Sequence, residues 1–276
     1  MFKPVNFIAK LFKAYLKMID HPGKIRIQNW MGRNIFKKGI LFKDDEATYF
    51  KLNANDWITR IILLEGNYEN KSVSLAKRIM QNGSVFIDIG ANFGLYSCQI
   101  ARIDAGLKIF AIEPNYKIIG SLLTNIQLNK LNNQVNVVNA AVTDSATLVQ
   151  MEQGAADNMG NTKTTKLEVG NFSVVGIPLK NILEEKDIKE VDLLKIDIEG
   201  NEFEVFKNFS FNQFKIRNII LEFNRNAQLR FTDLNYFFSN NNYECLNILG
   251  EKITEESLAI PEDNIWLTLK DDSHGS

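Results

Sequence analysis

Apolar and polar positions change period along this chain, and the changes predict its elements. From residue 84 onward, short apolar runs alternate with stretches whose apolar residues recur at helical spacing. VFIDIG reads as a strand and residues 95 to about 103 as a helix. KIFAIEP is a strand, and residues 116–130 form a helix with Ile119, Leu122, Leu123 and Ile126 on one face. QVNVVNAAV, FSVVGIPL, VDLLKIDIEG and RNIILEFN read as strands, with helices at NEFEVFKNF and FTDLNYFFSNN. YECLNIL and DNIWLTLK close the series with no helix between them, which suits an antiparallel pair at one edge. Such alternation predicts an α/β fold: a mostly parallel sheet covered by helices on both faces.

Upstream, the pattern is mixed. Residues 1 to about 38 predict helix, with a break at His21-Pro22-Gly23 and Pro4 in the first turn. Val5, Ile8, Phe12, Tyr15 and Ile19 make an apolar stripe, while Lys10, Lys13 and Lys17 share another face. Such a helix either attaches to an anionic membrane surface or a partner, or packs on its own domain with a solvated lysine face. The packed helix is the expectation adopted. GILFK and ATYFKLN then read as short strands around Asp44-Asp45-Glu46, and DWITRIILLEG as extended. Residues 70–82 predict a helix ended by Asn82-Gly83. Residues 151–166, MEQGAADNMGNTKTTK, have no apolar period and read as a mobile loop, either a cover for a substrate pocket or an inert insertion. The organisation expected is an extension over 1–61, a main domain over 62–270 and a disordered tail over 271–276.

Composition narrows the chemistry. The chain has 276 residues, 45% of them hydrophobic, and a net charge of −1, so no global field recruits nucleic acid or a membrane. No run reaches the ~18–20 apolar residues of a membrane span, and lysines interrupt any secretory signal. A cytoplasmic location, with peripheral membrane contact through the basic N-terminal helix as the alternative, is expected. Cys98 and Cys245 are isolated, and the two histidines, His21 and His274, lie at the ends, so a clustered zinc site is not expected. A general base in the body of the protein is therefore sought among Asp, Glu, Lys and Tyr.

Three motifs carry the candidate chemistry. Asp88-Ile89-Gly90-Ala91-Asn92-Phe93-Gly94 ends a strand in a glycine turn that opens a helix. Glycines there allow a sharp turn and close approach of a ligand to the main chain, and the helix start offers unpaired N–H groups. The next strand ends in Glu113, nineteen residues after Gly94, where an acid takes the hydroxyls of a ribose. Asn92 stands where a dinucleotide fingerprint has its second glycine, and no phosphate P-loop exists. An adenosine without phosphates, such as S-adenosylmethionine, satisfies both observations, with Asp88 at its amino-acid end and Glu113 at its ribose. In the third motif Lys195, Asp197 and Glu199 alternate along one strand and share a face at its carboxyl end. This cluster is either a salt-bridged cap for Gly200 or, the preferred reading, a catalytic or substrate-binding group.

These residues, with Gly66-Asn67-Tyr68-Glu69, Asn139-Ala140-Ala141-Val142 and Ile219-Ile220-Leu221-Glu222, resemble the FkbM family of S-adenosylmethionine-dependent methyltransferases over roughly residues 62–225. The resemblance implies a class I methyltransferase fold, a Rossmann-like, doubly wound sheet of seven strands with a reversed last hairpin. It implies O-methylation of a sugar, glycan or natural product. It assigns the cofactor to Asp88, Gly90, Asn92, Gly94 and Glu113, with Glu69 added. The chain departs from the family at Lys180, where an acid is usual. The expected mechanism is direct displacement at the methyl group, with Asp197 as general base or orienting group and Lys195 and Glu199 tuning it or binding substrate. A divalent ion held by Asp197, Glu199 and Glu222 is the less favoured alternative. The rival functions are another nucleotide-dependent enzyme, such as a dehydrogenase, and a non-catalytic partner in a glycan-modifying assembly.

Overall fold

The computed structural model describes residues 1–18, 21–152, 163–165, 172–198, 202–223, 231–253 and 264–270. The chain opens with β1 (Lys3–Pro4), α1 (Phe7–Lys17), α2 (Lys24–Asn34), β2 (Ile40–Lys43), β3 (Tyr49–Leu52) and α3 (Trp57–Glu65). The α/β body follows: α4 (Asn70–Met80), β4 (Val85–Ile89), α5 (Leu95–Ala101), β5 (Lys108–Ile112), α6 (Tyr116–Leu128) and β6 (Val135–Val138). Next come β7 (Ala141–Thr143), β8 (Thr147–Glu152), β9 (Lys163–Thr165), β10 (Phe172–Pro178), α7 (Leu179–Glu185) and β11 (Glu190–Ile196). A 3₁₀ turn (Glu202–Phe206), β12 (Lys215–Glu222), α8 (Phe231–Asn240), β13 (Tyr243–Asn247) and β14 (Asn264–Leu269) complete it.

Seven strands form the central sheet in the order β13-β14-β12-β11-β4-β5-β6. Pairs β12–β11, β11–β4, β4–β5 and β5–β6 are parallel, and β14 runs antiparallel to both neighbours. Pleating sends alternate residues to opposite faces. Phe86, Ile109, Leu193 and Ile220 enter one core with the N-terminal elements, α4, α5 and α6. Ile87, Ile112, Leu194, Ile196 and Ile219 enter the other, with α7 and α8. By that parity Asp88 and Lys195 face the α4–α5 side. Cys98 and Cys245 are both free and buried.

Several local expectations are corrected. DWITRIILLEG is a helix, α3, although its β-branched run suggested a strand. Asp56 caps its start, its Oδ1 accepting from the Ile58 amide at 2.9 Å, and Gly66 ends it in the left-handed region. Its buried residues, Ile58, Thr59, Ile62 and Leu63, have helical spacing. Pro4 lies in a strand paired with Phe42 instead of in a helical turn. In α1 the buried stripe is Ala9, Phe12 and Leu16, rotated from the predicted one; Val5 and Ile8 face solvent, and Ile19 lies outside the described residues. QVNVVNAAV splits into β6 and β7, which belong to different sheets. The ends of segment 151–166 are not loop: Met151 and Glu152 pair with Thr164 and Lys163. Residues 153–162 and the tail 271–276 lie outside the described residues. NEFEVFKNF makes only a 3₁₀ turn.

The N-terminal sheet, β1-β2-β3, is tied to the main sheet by two asparagines of one helix. Asn125 of α6 accepts from the Lys51 amide at 2.7 Å and donates to the Phe93 carbonyl at 2.9 Å. Asn129 accepts from the Tyr49 amide at 2.8 Å and donates to its carbonyl at 2.7 Å. A buried amide satisfied on both ends is favourable, and one side chain here links β3 to the glycine turn. α3 runs unbroken through residues 61 and 62.

Candidate active site

Open α/β sheets gather ligands beyond the strand ends where the strand order reverses. That point lies between β4 and β11. After β4, Gly90 and Gly94 adopt φ of +78° and +87°, with Asn92 between them at +51°. Asparagine is one of the few side chains that tolerate this region, so the turn needs no third glycine. The amides of Gly90 and Ala91 donate to the Ile112 carbonyl at 2.9 and 3.0 Å, folding the turn across the tip of β5. A Cβ on Gly90 would overlap the Asp197 carbonyl oxygen, so this glycine lets the turn meet the end of β11.

Glu113 closes β5 and is buried. Its Oε2 accepts from the Asn92 amide at 2.9 Å and its Oε1 from the Asn115 amide at 2.8 Å. Burial pushes this carboxyl up to about 7, although the Asn115 and Asn92 amides pull the other way.

The second group surrounds Lys195, which is buried and donates to Asp197 Oδ2 at 2.9 Å. Its ammonium also sits 4.9 Å from the centroid of the Tyr96 ring, within cation–π range. The Tyr96 hydroxyl donates to Glu69 Oε2 at 2.6 Å, and Glu69 enters α4 with φ of +50°. Asp88 is fully buried; Ser97 donates to its Oδ2 at 2.6 Å, and among the described residues its Oδ1 has no hydrogen-bond partner. Burial raises the Asp88 and Glu69 carboxyls against the pull of Lys195. For Asp197 burial also raises, but the Lys195 ammonium and hydrogen bonds from Glu222 and Lys195 outweigh it and hold the carboxyl below its ordinary range. Burial disfavours the Lys195 ammonium, and Asp197, Asp88 and Glu69 reverse that and raise its pKa.

Of the residues singled out in the sequence, the structure groups Glu69, Asp88, Lys195 and Asp197 in one cluster. Gly90, Asn92, Gly94 and Glu113 form the adjoining turn. Glu199 and Gly200 lie outside the described residues. Among the described residues no group of three or more His, Cys, Asp or Glu is arranged to hold a metal ion. Lys180 stands in the first turn of α7 and is partly exposed. Tyr96 and Ser97 escaped sequence reasoning. The available signal was their position: two hydroxyl side chains in the first turn of the helix directly after the glycine turn.

Strand order, the single reversed strand β14 and a glycine turn at the switch point define a class I methyltransferase sheet. The FkbM methyltransferase domain matches residues 88–245, and the chain belongs to the FkbM family of S-adenosylmethionine-dependent methyltransferases. It is similar to the methyltransferase sdnD of Sordaria araneosa, 26% identical across 49% of this chain and 64% of that protein. The chain thus spans somewhat less than two thirds of sdnD. It is also similar to the hexuronic acid methyltransferase AglP of Haloferax volcanii, 24% identical across 64% of this chain and 70% of that protein. Among solved structures it is similar to an O-methyltransferase from Bacillus cereus in complex with SAH, with 11% identity and a TM-score of 0.45, covering 94% of this chain and 97% of that one.

The residues present fit this cofactor. Glu69, Asp88 and Asp197 gather around the single Lys195 ammonium, an imbalance that the sulfonium and amine of S-adenosylmethionine would reduce. The open acceptor on Asp88 and the glycine turn suit a ligand lacking phosphates.

Proposed function

We propose that this chain methylates a hydroxyl oxygen of a sugar, glycan or natural product. The observation that carries the reading is Asp197: a half-buried carboxylate held ionised by the buried Lys195 at 2.9 Å, at the mouth of the sheet beside the glycine turn. When bound, S-adenosylmethionine supplies an electrophilic methyl carbon. Glu113 receives the ribose hydroxyls, and Asp88 with the main chain of the turn receives the amino-acid end. Asp197 accepts a hydrogen bond from the acceptor hydroxyl and so aims one oxygen lone pair.

Asp197 is a weak base because its pKa is held low. That suffices, because an oxygen forming a third bond becomes far more acidic than a carboxylic acid, and the proton passes to Asp197 late. Lys195 keeps Asp197 ionised, and the Glu69–Tyr96 pair fixes the ring beneath Lys195. Glu199, which lies outside the described residues, is proposed to contact the acceptor.

The test has two stages. Titration calorimetry with S-adenosylmethionine on the wild type and on Glu113→Ala should show binding that the substitution weakens. Transfer of a labelled methyl group to a panel of sugars, led by hexuronic acids because of the relative's specificity, should then yield methyl ethers. Absence of cofactor binding would overturn the cofactor assignment, and methylation confined to amine acceptors would overturn the O-methyl assignment.

A further inference from the structure

We propose that the solvent face of α1 and α2 docks the protein on the surface of an anionic lipid bilayer. A surface helix needs one apolar stripe to pack, and α1 uses Ala9, Phe12 and Leu16 for that. It carries a second stripe on its outer side. Phe7, Leu11, Ala14 and Met18 follow at spacings of four, three and four, with Phe7 72%, Leu11 54% and Met18 63% exposed. Ile8 lies beside them, also exposed. In α2 the only buried residue is Gly32, whereas Ile25, Ile27 and Trp30 face solvent. α1 packs on α3, and Arg60 of α3 donates to Asn29 of α2 at 2.9 Å, so one helix supports both.

Charge selects the occupant. Residues 1–43 contain ten Lys and Arg against one acid, Asp20, although the whole chain nets −1. Lys10, Lys17, Arg26, Arg33, Lys37 and Lys38 are exposed around these apolar residues. Met1 and Lys3 pair with Asp45, away from these helices. Exposed Phe, Leu and Trp bordered by cations is the composition of helices that lie in a membrane interface, with apolar side chains among acyl chains and cations at acidic headgroups. Among the described residues no helix is long and apolar enough to cross a membrane, so the contact is one of lying on the surface.

The test is co-sedimentation of the full chain with phosphatidylcholine vesicles, with and without phosphatidylglycerol. The chain should pellet with the acidic vesicles, and about tenfold less with neutral ones or in high salt. Leu11→Asp should reduce partitioning about tenfold, and the Lys10→Glu, Lys17→Glu double variant should do so on acidic vesicles only. Both should retain the wild-type circular dichroism, melting temperature and S-adenosylmethionine affinity. No partitioning onto acidic vesicles, or partitioning indifferent to Leu11→Asp, would overturn the proposal. So would a wild-type dimer in light scattering that Leu11→Asp dissociates, because the stripe would then belong to a second copy of the chain.

Discussion

Glu113, buried, and Asp197, whose side chain is 28% exposed, are carboxyls at the tips of β5 and β11, the strands flanking β4, and their surroundings move them in opposite directions. Two backbone amides hold Glu113, and burial wins, leaving it near 7. A full ammonium at 2.9 Å holds Asp197, and burial loses. Partial charges on amides do not offset desolvation of a carboxylate here, whereas a unit charge at contact does. One tip is therefore poised to change protonation near neutrality, and the other is locked as an anion.

The sharpest way to break this contrast is to remove the locked anion. Asp197→Asn should lower methyl transfer by about 100- to 10,000-fold while cofactor affinity in calorimetry stays within about twofold. Equal loss of both would mean that the two tips do not divide their work. Removing the counter-charge comes next. Lys195→Met leaves Asp197, Asp88 and Glu69 without their shared cation and should cost about 3–5 kcal/mol in urea unfolding; a cost near zero would show that the cluster neutralises itself by protonation.

The poised tip gives a pH signature. Because the folded Glu113 carboxyl lies above its reference of 4.5, its contribution to apo stability is fully present below about 4.5 and is lost as pH rises through about 7. A ribose needs the ionised form, so cofactor affinity should fall by up to about tenfold per unit as pH drops below 7. Glu113→Gln should bind weakly with a flat profile; a wild-type profile that is equally flat would contradict the raised value. The smallest change is Ser97→Ala, which takes away the one hydroxyl that satisfies Asp88. It should cost about 1–2 kcal/mol in thermal unfolding and leave the pH profile of cofactor binding unmoved.

The strand tips were legible because each combined an apolar run with a residue that a buried strand does not otherwise end on. Asp88, Glu113 and Asp197 stood out against Ile and Val, and the left-handed turn after β4 announced itself through Gly90 and Gly94. The mostly parallel sheet with an antiparallel pair at one edge followed from the rhythm of the same runs and from the family resemblance. α3 was not legible, because Ile58, Ile61 and Ile62 favour strands locally, while the cap at Asp56 and burial on a helical stripe decide the outcome. The two faces of α1 were confounded for a related reason: Val5, Ile8, Phe12 and Tyr15 have helical spacing, yet the core takes the side marked by Ala9 and Leu16. Tyr96 could not be paired with Glu69 from the sequence, since a contact across 27 residues leaves no periodic trace.

The asparagine link between α6 and β3 has a consequence beyond anchoring. β3 is the outermost strand of its sheet, and an outermost strand normally presents amides and carbonyls that a strand of another molecule can use. Here the Tyr49 amide and carbonyl and the Lys51 amide are already taken by Asn129 and Asn125. Two side chains thus act as the next strand would, ending the sheet from within the same chain and closing that edge to aggregation.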